Sequence, residues 1–85
     1  MPTRTVTVGS AVGLHARPAA IIAEAAEGLG SEVTLAVPGG APVDASSSLL
    51  IMTLGAGKGA VVEVTGDEQA AVDKIADLVE QDLDA

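Results

Sequence analysis

The chain contains no cysteine, phenylalanine, tyrosine or tryptophan. Without cysteine there is no disulfide framework and no thiolate metal site, a composition that fits a reducing cytoplasm. Without aromatics there is no ring on which a nucleic-acid base could stack. Any core has to come from Val, Leu, Ile, Ala and Met. Basic residues are also scarce: four Lys and Arg stand against twelve Asp and Glu, a formal net charge of -8. Such a surface repels phosphate backbones and anionic membranes, so nucleic-acid binding is not expected. No apolar run approaches the length of a membrane span, so direct membrane insertion is not expected. The first residues run straight into an alternating pattern, and no secretory leader is expected. These absences leave an acidic, cytoplasmic protein. Its 85 residues, 48% of them hydrophobic, are expected to form one small domain over residues 1–85, which at this size needs good packing.

What is present has a clear order. Thr3 to Val8 alternates, with Val6 and Val8 on one side and Thr5 and Thr7 on the other, which predicts a half-buried strand. Gly9 to Leu14 reads as a loop. Ala19, Ile22, Ala23 and Ala26 follow helical spacing within Ala16 to Glu27. Pro18 falls in the first turn of that helix, where its missing N–H removes no helical bond, and Gly28 and Gly30 end it. Glu32 to Val37 alternates again, with Val33, Leu35 and Val37 on one face. Pro38-Gly39-Gly40 then marks a hairpin turn. Ala41 to Asp44 is a short return strand that Pro42 confines to an edge. Ser46-Ser47-Ser48 supplies N-caps for an apolar helix over Leu49 to Thr53. Gly55 to Gly59 is a loop, and Ala60 to Thr65 is a strand with Val62 and Val64 inward. Asp67 caps a last helix whose stripe is Val72, Ile75, Ala76, Val79 and Leu83. The βαββαβα order predicts an α+β fold: an open-faced two-layer sandwich, with three helices on one face of a four-stranded antiparallel sheet.

His15 is the only histidine, and no other side chain is a comparably good nucleophile near neutral pH. It sits where the Gly9–Leu14 loop hands over to the first helix. At such a position the N–H groups of Ala16 and Arg17 are free of helical bonds and can face an anion. The helix dipole favours a negative group there and disfavours an imidazolium. Arg17 adds a guanidinium fork for phosphate oxygens. A neutral imidazole that attacks phosphorus and then carries a dianionic phosphoryl group fits these surroundings. Taken singly, a lone histidine is more often a cap or a surface residue, and an arginine more often a surface charge. The residues alone therefore do not identify a reaction. One histidine and no cysteine leave only carboxylates as metal ligands, none at a convincing spacing. Neither a metal nor another cofactor is expected.

Gly13-Leu14-His15-Ala16-Arg17-Pro18-Ala19 resembles the active-site signature of the HPr family, the histidine-containing phosphocarriers of the bacterial phosphoenolpyruvate-dependent sugar phosphotransferase system. The similarity continues in Ser31-Glu32-Val33-Thr34 and in Val43-Asp44-Ala45-Ser46-Ser47-Ser48. It continues again in Met52-Thr53-Leu54-Gly55 and Lys58-Gly59, so that it covers essentially the whole chain. The resemblance implies that His15 accepts a phosphoryl group on Nδ1 from phosphorylated enzyme I. His15 would then pass it to a histidine of a sugar-specific IIA protein or domain, with Arg17 contacting the group. The protein would be a covalently modified intermediate between phosphotransferases, not an enzyme. It also implies a regulatory serine at the start of the second helix, which falls on Ser47, one position later than usual, the extra residue lying around Gly39-Gly40. A serine kinase/phosphorylase and transcriptional regulators would then be further partners.

The chain departs from the family in three ways. Ser48 stands where an apolar docking residue often follows the regulatory serine, although Leu49 and Leu50 come next. Glu24 and Glu27 replace basic residues often found on the first helix, so docking on enzyme I should rely mainly on apolar groups or meet a less acidic surface. The third departure, the lack of aromatics, removes core landmarks but no reactive group. Ala20 and Ile21 fall off the core stripe of the first helix, and Leu49, Leu50 and Met52 cannot all point inward on a short one. These five residues are candidates either for a docking patch or for filling a small core. The protein is expected to act as a monomer. Two other readings stay open at this point. One is a regulatory paralogue that works through Ser47; the other is a small-molecule-binding domain, which would need a pocket.

Overall fold

The computed structural model describes residues 2–81. Its elements are β1 (Thr3–Thr7), α1 (Ala16–Gly28), β2 (Val33–Ala36), β3 (Val43–Asp44), α2 (Ser48–Thr53), β4 (Val61–Gly66) and α3 (Gln69–Glu80). The strands form one sheet in the order β1-β4-β2-β3, with every neighbouring pair antiparallel. This is the α+β architecture that the element order predicts. β1 and β2 flank β4 and are connected through α1, a split βαβ unit. No helix among the described residues is long and apolar enough to cross a membrane.

The period-two pattern decides which side of the sheet is covered. Val62 faces Val6 across the β1–β4 pair, and Val64 faces Leu35 across the β2–β4 pair. All four are buried, while Thr5, Thr7 and Glu63 of the alternate set are exposed. Helix α1 covers the apolar face with Ala19, Ile22, Ala23 and Ala26, and α3 covers it with Ala71, Val72, Ile75, Ala76 and Val79. Five of these nine side chains are alanine, small enough to let the helices approach closely.

Arg4 ties β1 to α3. Its Nη1 donates to Asp77 Oδ1 at 3.0 Å and to Asp73 Oδ1 at 3.4 Å, and its Nη2 donates to Glu80 Oε1 at 3.0 Å. The three carboxylates lie on successive turns of one helix face and would repel one another without a shared cation. Their presence raises the already high pKa of Arg4, with the Asp77 hydrogen bond as the largest cause. One of the four cations in the chain is thus committed to the fold.

Where the elements differ from the predicted ones, the reasons are local. β3 is reduced to Val43–Asp44 because Pro42 has no N–H for the ladder, and it is an edge strand as expected. The hairpin closes through Gly40 N–H to Val37 O at 2.9 Å, with Pro38 then Gly39 (φ 79°) at the centre, the pairing of a type II turn. The last helix is capped at Glu68 rather than Asp67, without a side-chain cap bond, so an acidic residue before an apolar stripe misplaces the boundary by one. Leu83 lies outside the described residues.

Candidate functional site

His15 is the N-cap of α1, with extended backbone angles (φ -88°, ψ -164°). Its carbonyl accepts the first helical bond, from Ala19 N–H at 2.9 Å. Its ring makes no cap bond and no other hydrogen bond to the described residues, and the residue is exposed. Ala16 and Arg17 are the first two helical residues, so helix geometry leaves their N–H groups without intrahelical acceptors. Pro18 follows at the third position and has no N–H to leave unmet. The N-terminus of α1 therefore offers two backbone donors and an uncommitted imidazole. Arg17 is exposed and takes part in no ion pair among the described residues. Of the predicted groups, His15, Arg17 and the Ala16 and Arg17 amides are brought together by one turn of one helix.

A second loop shapes the site. Leu14 N–H donates to Ala56 O at 2.9 Å, and both residues are buried. Gly13 has φ 74°, and a Cβ built on it would lie 2.4 Å from Ala56 O and 2.7 Å from Gly57 Cα. Only glycine satisfies both the left-handed angle and that approach. At the far end of the His15 loop, Val8 N–H donates to Ala60 O and Gly59 N–H to Val8 O, both at 2.9 Å. The loop also meets α3, where Gly9 N–H donates to Val79 O at 3.1 Å and Ser10 Oγ to Gln81 O at 3.3 Å. The result is a shallow cleft of about 200 Å³ lined by Val12, Leu14, His15, Met52, Gly55, Ala56 and Gly57. Two other depressions, beside Ser31 and on the free face of the sheet, contain carboxylates and no cation. They suit an anionic ligand less well than the cleft beside His15.

Helix α2 stands next to this cleft and packs against α1. It starts at Ser48, with Ser47 as its N-cap: Ser47 Oγ accepts from Leu50 N–H at 3.3 Å. The preceding turn is held by Asp44, whose carboxylate accepts from the Ser46 N–H at 2.9 Å and from its hydroxyl at 2.7 Å. These bonds, the backbone one foremost, hold the Asp44 carboxyl below the usual carboxylate range. Because the folded pKa is lowered, the resulting stability is present above the ordinary range and is lost as pH falls through the lowered value.

The apolar candidates separate. Ile51 turns into the core, whereas Leu49 is 72% and Leu50 42% exposed. Ala20 is exposed, and Ile21 and Met52 are half-buried. Val12, which the sequence reading leaves inside an undifferentiated loop, is 63% exposed and lines the His15 cleft. Its only sequence signal is a bulky apolar residue between two small ones in a loop. The charge pattern adds a second missed signal. None of the twelve carboxylates lies in residues 2–23 or 45–62, the two segments that build the site. The strongly acidic charge belongs to the rest of the molecule.

A family model described as the phosphorylation site of the HPr component of the phosphotransferase system matches residues 2–81. The phosphocarrier protein HPr of Streptomyces coelicolor is 42% identical over 87 residues, covering 99% of this chain and 94% of that protein. Among solved structures, HPr-C-His from Thermoanaerobacter tengcongensis superposes with a TM-score of 0.85 at 32% identity, covering 94% of this chain and 92% of that one. A phosphocarrier protein HPr from Bacillus anthracis superposes with a TM-score of 0.84 at 28% identity, covering 92% and 95% respectively. An imidazole held at a helix N-terminus, on this fold and within a match of this extent, leads to one conclusion: the chain belongs to the HPr family, phosphocarriers rather than enzymes, which serve sugar transport in the phosphotransferase system between enzyme I and the IIA components.

Proposed function

We propose that His15 is the phosphoryl acceptor of this carrier, and that Arg17 with the backbone N–H groups of Ala16 and Arg17 holds the transferred group. The observation that carries this reading is the uncommitted His15 ring at the end of α1, where the amides of Ala16 and Arg17 have no helical acceptor. In the step itself, a neutral imidazole uses its Nδ1 lone pair to attack phosphorus. The new N–P bond forms as the bond from phosphorus to the donor on enzyme I breaks. The Nε2 proton is released as the departing donor takes one up. Passing the group to a IIA histidine repeats the exchange with His15 as the leaving group. Arg17 and the amides meet the equatorial oxygens throughout, so the carrier's share is positioning and charge stabilisation. The remaining machinery comes from the partner.

The docking surface of this reading is centred on Leu49 and Leu50 and draws on the exposed Val12 and Ala20 and the half-buried Ile21 and Met52. A modest apolar patch suits short-lived contact with successive partners. Ser47 is the regulatory position of this reading, addressed by a serine kinase/phosphorylase and sensed by transcriptional regulators. A phosphate on an N-cap is tolerated by the helix dipole, so its effect is charge: about −1.5 to −2 units at the start of a helix that itself carries no carboxylate.

Incubation with phosphoenolpyruvate, Mg²⁺ and cognate enzyme I is expected to give an acid-labile, base-stable adduct that maps to the peptide containing His15. An adduct on another residue would overturn the assignment. Arg17→Ala is expected to slow transfer by roughly tenfold or more, the worth of one charge-assisted hydrogen bond, while leaving the melting curve in place. Rapid-quench rates equal to the parent's would remove Arg17 from the site. Ser47→Asp is expected to weaken binding to enzyme I with unchanged far-UV circular dichroism. Equal affinities by titration calorimetry would argue against charge-based regulation there.

A further inference from the structure

The geometry points to Lys58 as a second cationic contact for the phosphoryl group on His15, delivered to the site by the loop between α2 and β4. The inference rests on the His15 reading and deepens it. Three observations carry it. The first is the lacing of the two loops. Leu14 N–H bonds Ala56 O and Gly13 lies against Ala56 and Gly57, so Lys58 follows directly on the backbone that touches the His15 loop. The second is the local turn. Ala60 N–H donates to Gly57 O at 3.0 Å, and Gly59 N–H to Val8 O at 2.9 Å. Lys58 is thus fixed at the exposed position of a tight turn, between two anchored residues.

The third observation is the distribution of cations. Arg4 is engaged by Asp73, Asp77 and Glu80. Lys74 is in the middle of α3, whose C-terminal end is the part that meets the His15 loop. That leaves Arg17 and Lys58 in the two carboxylate-free segments, and Lys58 is exposed with no ion pair among the described residues. An ammonium on a flexible four-carbon stem can follow a phosphoryl group that arrives and departs. Arg17 belongs to the first turn of α1, and Lys58 directly follows Gly57, which lines the cleft beside His15. Together they offset the two negative charges that the phosphoryl group brings.

The test uses the full chain, its enzyme I, and the variants Lys58→Gln and Lys58→Arg. The phosphoryl exchange equilibrium with enzyme I and the ³¹P resonance of the isolated phosphorylated carrier are measured for each. Lys58→Gln is expected to shift the exchange equilibrium about two- to fivefold away from the carrier, the range of one exposed charge pair. It should also displace the ³¹P resonance, and Lys58→Arg should restore both. An unchanged equilibrium and resonance in Lys58→Gln would overturn the inference. This includes the case in which only KM for enzyme I rises, because that result makes Lys58 a docking residue. Absence of phosphohistidine at position 15 in the parent protein would instead overturn the His15 reading on which the inference stands, so the two failures are distinguishable.

Discussion

Replacing His15 by alanine is expected to abolish phosphorylation by enzyme I and phosphoenolpyruvate while leaving the fold intact. The loss is complete because there is no cysteine and no second histidine to take over the nucleophilic role. The fold survives because the His15 ring is exposed, makes no cap bond, and contributes to α1 only through its carbonyl, which alanine also has. A surface change of this kind costs within about 0.5 kcal/mol. The measurement pairs radiolabel incorporation with a denaturation curve. Full incorporation in the folded variant would exclude His15 as the acceptor. Incorporation that persists only at Ser47 would favour the regulatory-paralogue reading.

Gly13→Ala is expected to damage stability and transfer together. Alanine at φ 74° carries a penalty of about 1–2 kcal/mol. The new Cβ would lie 2.4 Å from Ala56 O, a backbone atom that cannot swing aside as a side-chain end can. Relief requires the two loops to part, which breaks the Leu14–Ala56 hydrogen bond, worth about 1 kcal/mol. Together these come to roughly 2–3 kcal/mol, a large share of the stability of a small domain. The loops carry His15, so the imidazole moves relative to the amides of α1. A displacement of about 1 Å in such an arrangement can lower a rate on the order of a hundredfold. Urea unfolding and single-turnover transfer, measured on the folded fraction, check both parts. Parent-like stability and rate would show that the close approach at Gly13 does not position the site.

The contrast between these variants separates local from distant information. The positions of His15, Arg17 and Pro18 relative to the start of α1 follow from a few neighbouring residues, and the helical stripe Ala19, Ile22, Ala23, Ala26 fixes which face turns inward. Those features were legible because they depend on spacing along one element. The contribution of Gly55, Ala56 and Gly57 was not legible. A glycine-rich loop signals a turn, but nothing in its own residues says which distant loop it will touch. Val12 shows the same limit. Its exposure depends on Gly13 and Leu14 being held against Ala56, a contact across more than forty positions of chain.

The five apolar candidates divide for a related reason. Periodicity puts Ala20 and Ile21 off the core stripe of α1 and keeps Leu49, Leu50 and Met52 from all pointing inward, but it does not say how far neighbouring elements cover them. Packing of α2 against α1 leaves Leu49 and Leu50 open, and Ile21 and Met52 half covered.

Neighbouring residues are enough to set the order of the elements, most inward faces of strands and helices, and a single nucleophilic imidazole at a helix start. Hydrophobic period and capping chemistry are properties of neighbouring residues, so they can be read without knowing the fold. It takes the assembled fold to place β4 between β1 and β2, to make the loop after α2 the second wall of the His15 cleft, and to engage Arg4 with α3. Each of these depends on residues far apart in the chain, brought together by burial of one aromatic-free core that no single segment specifies.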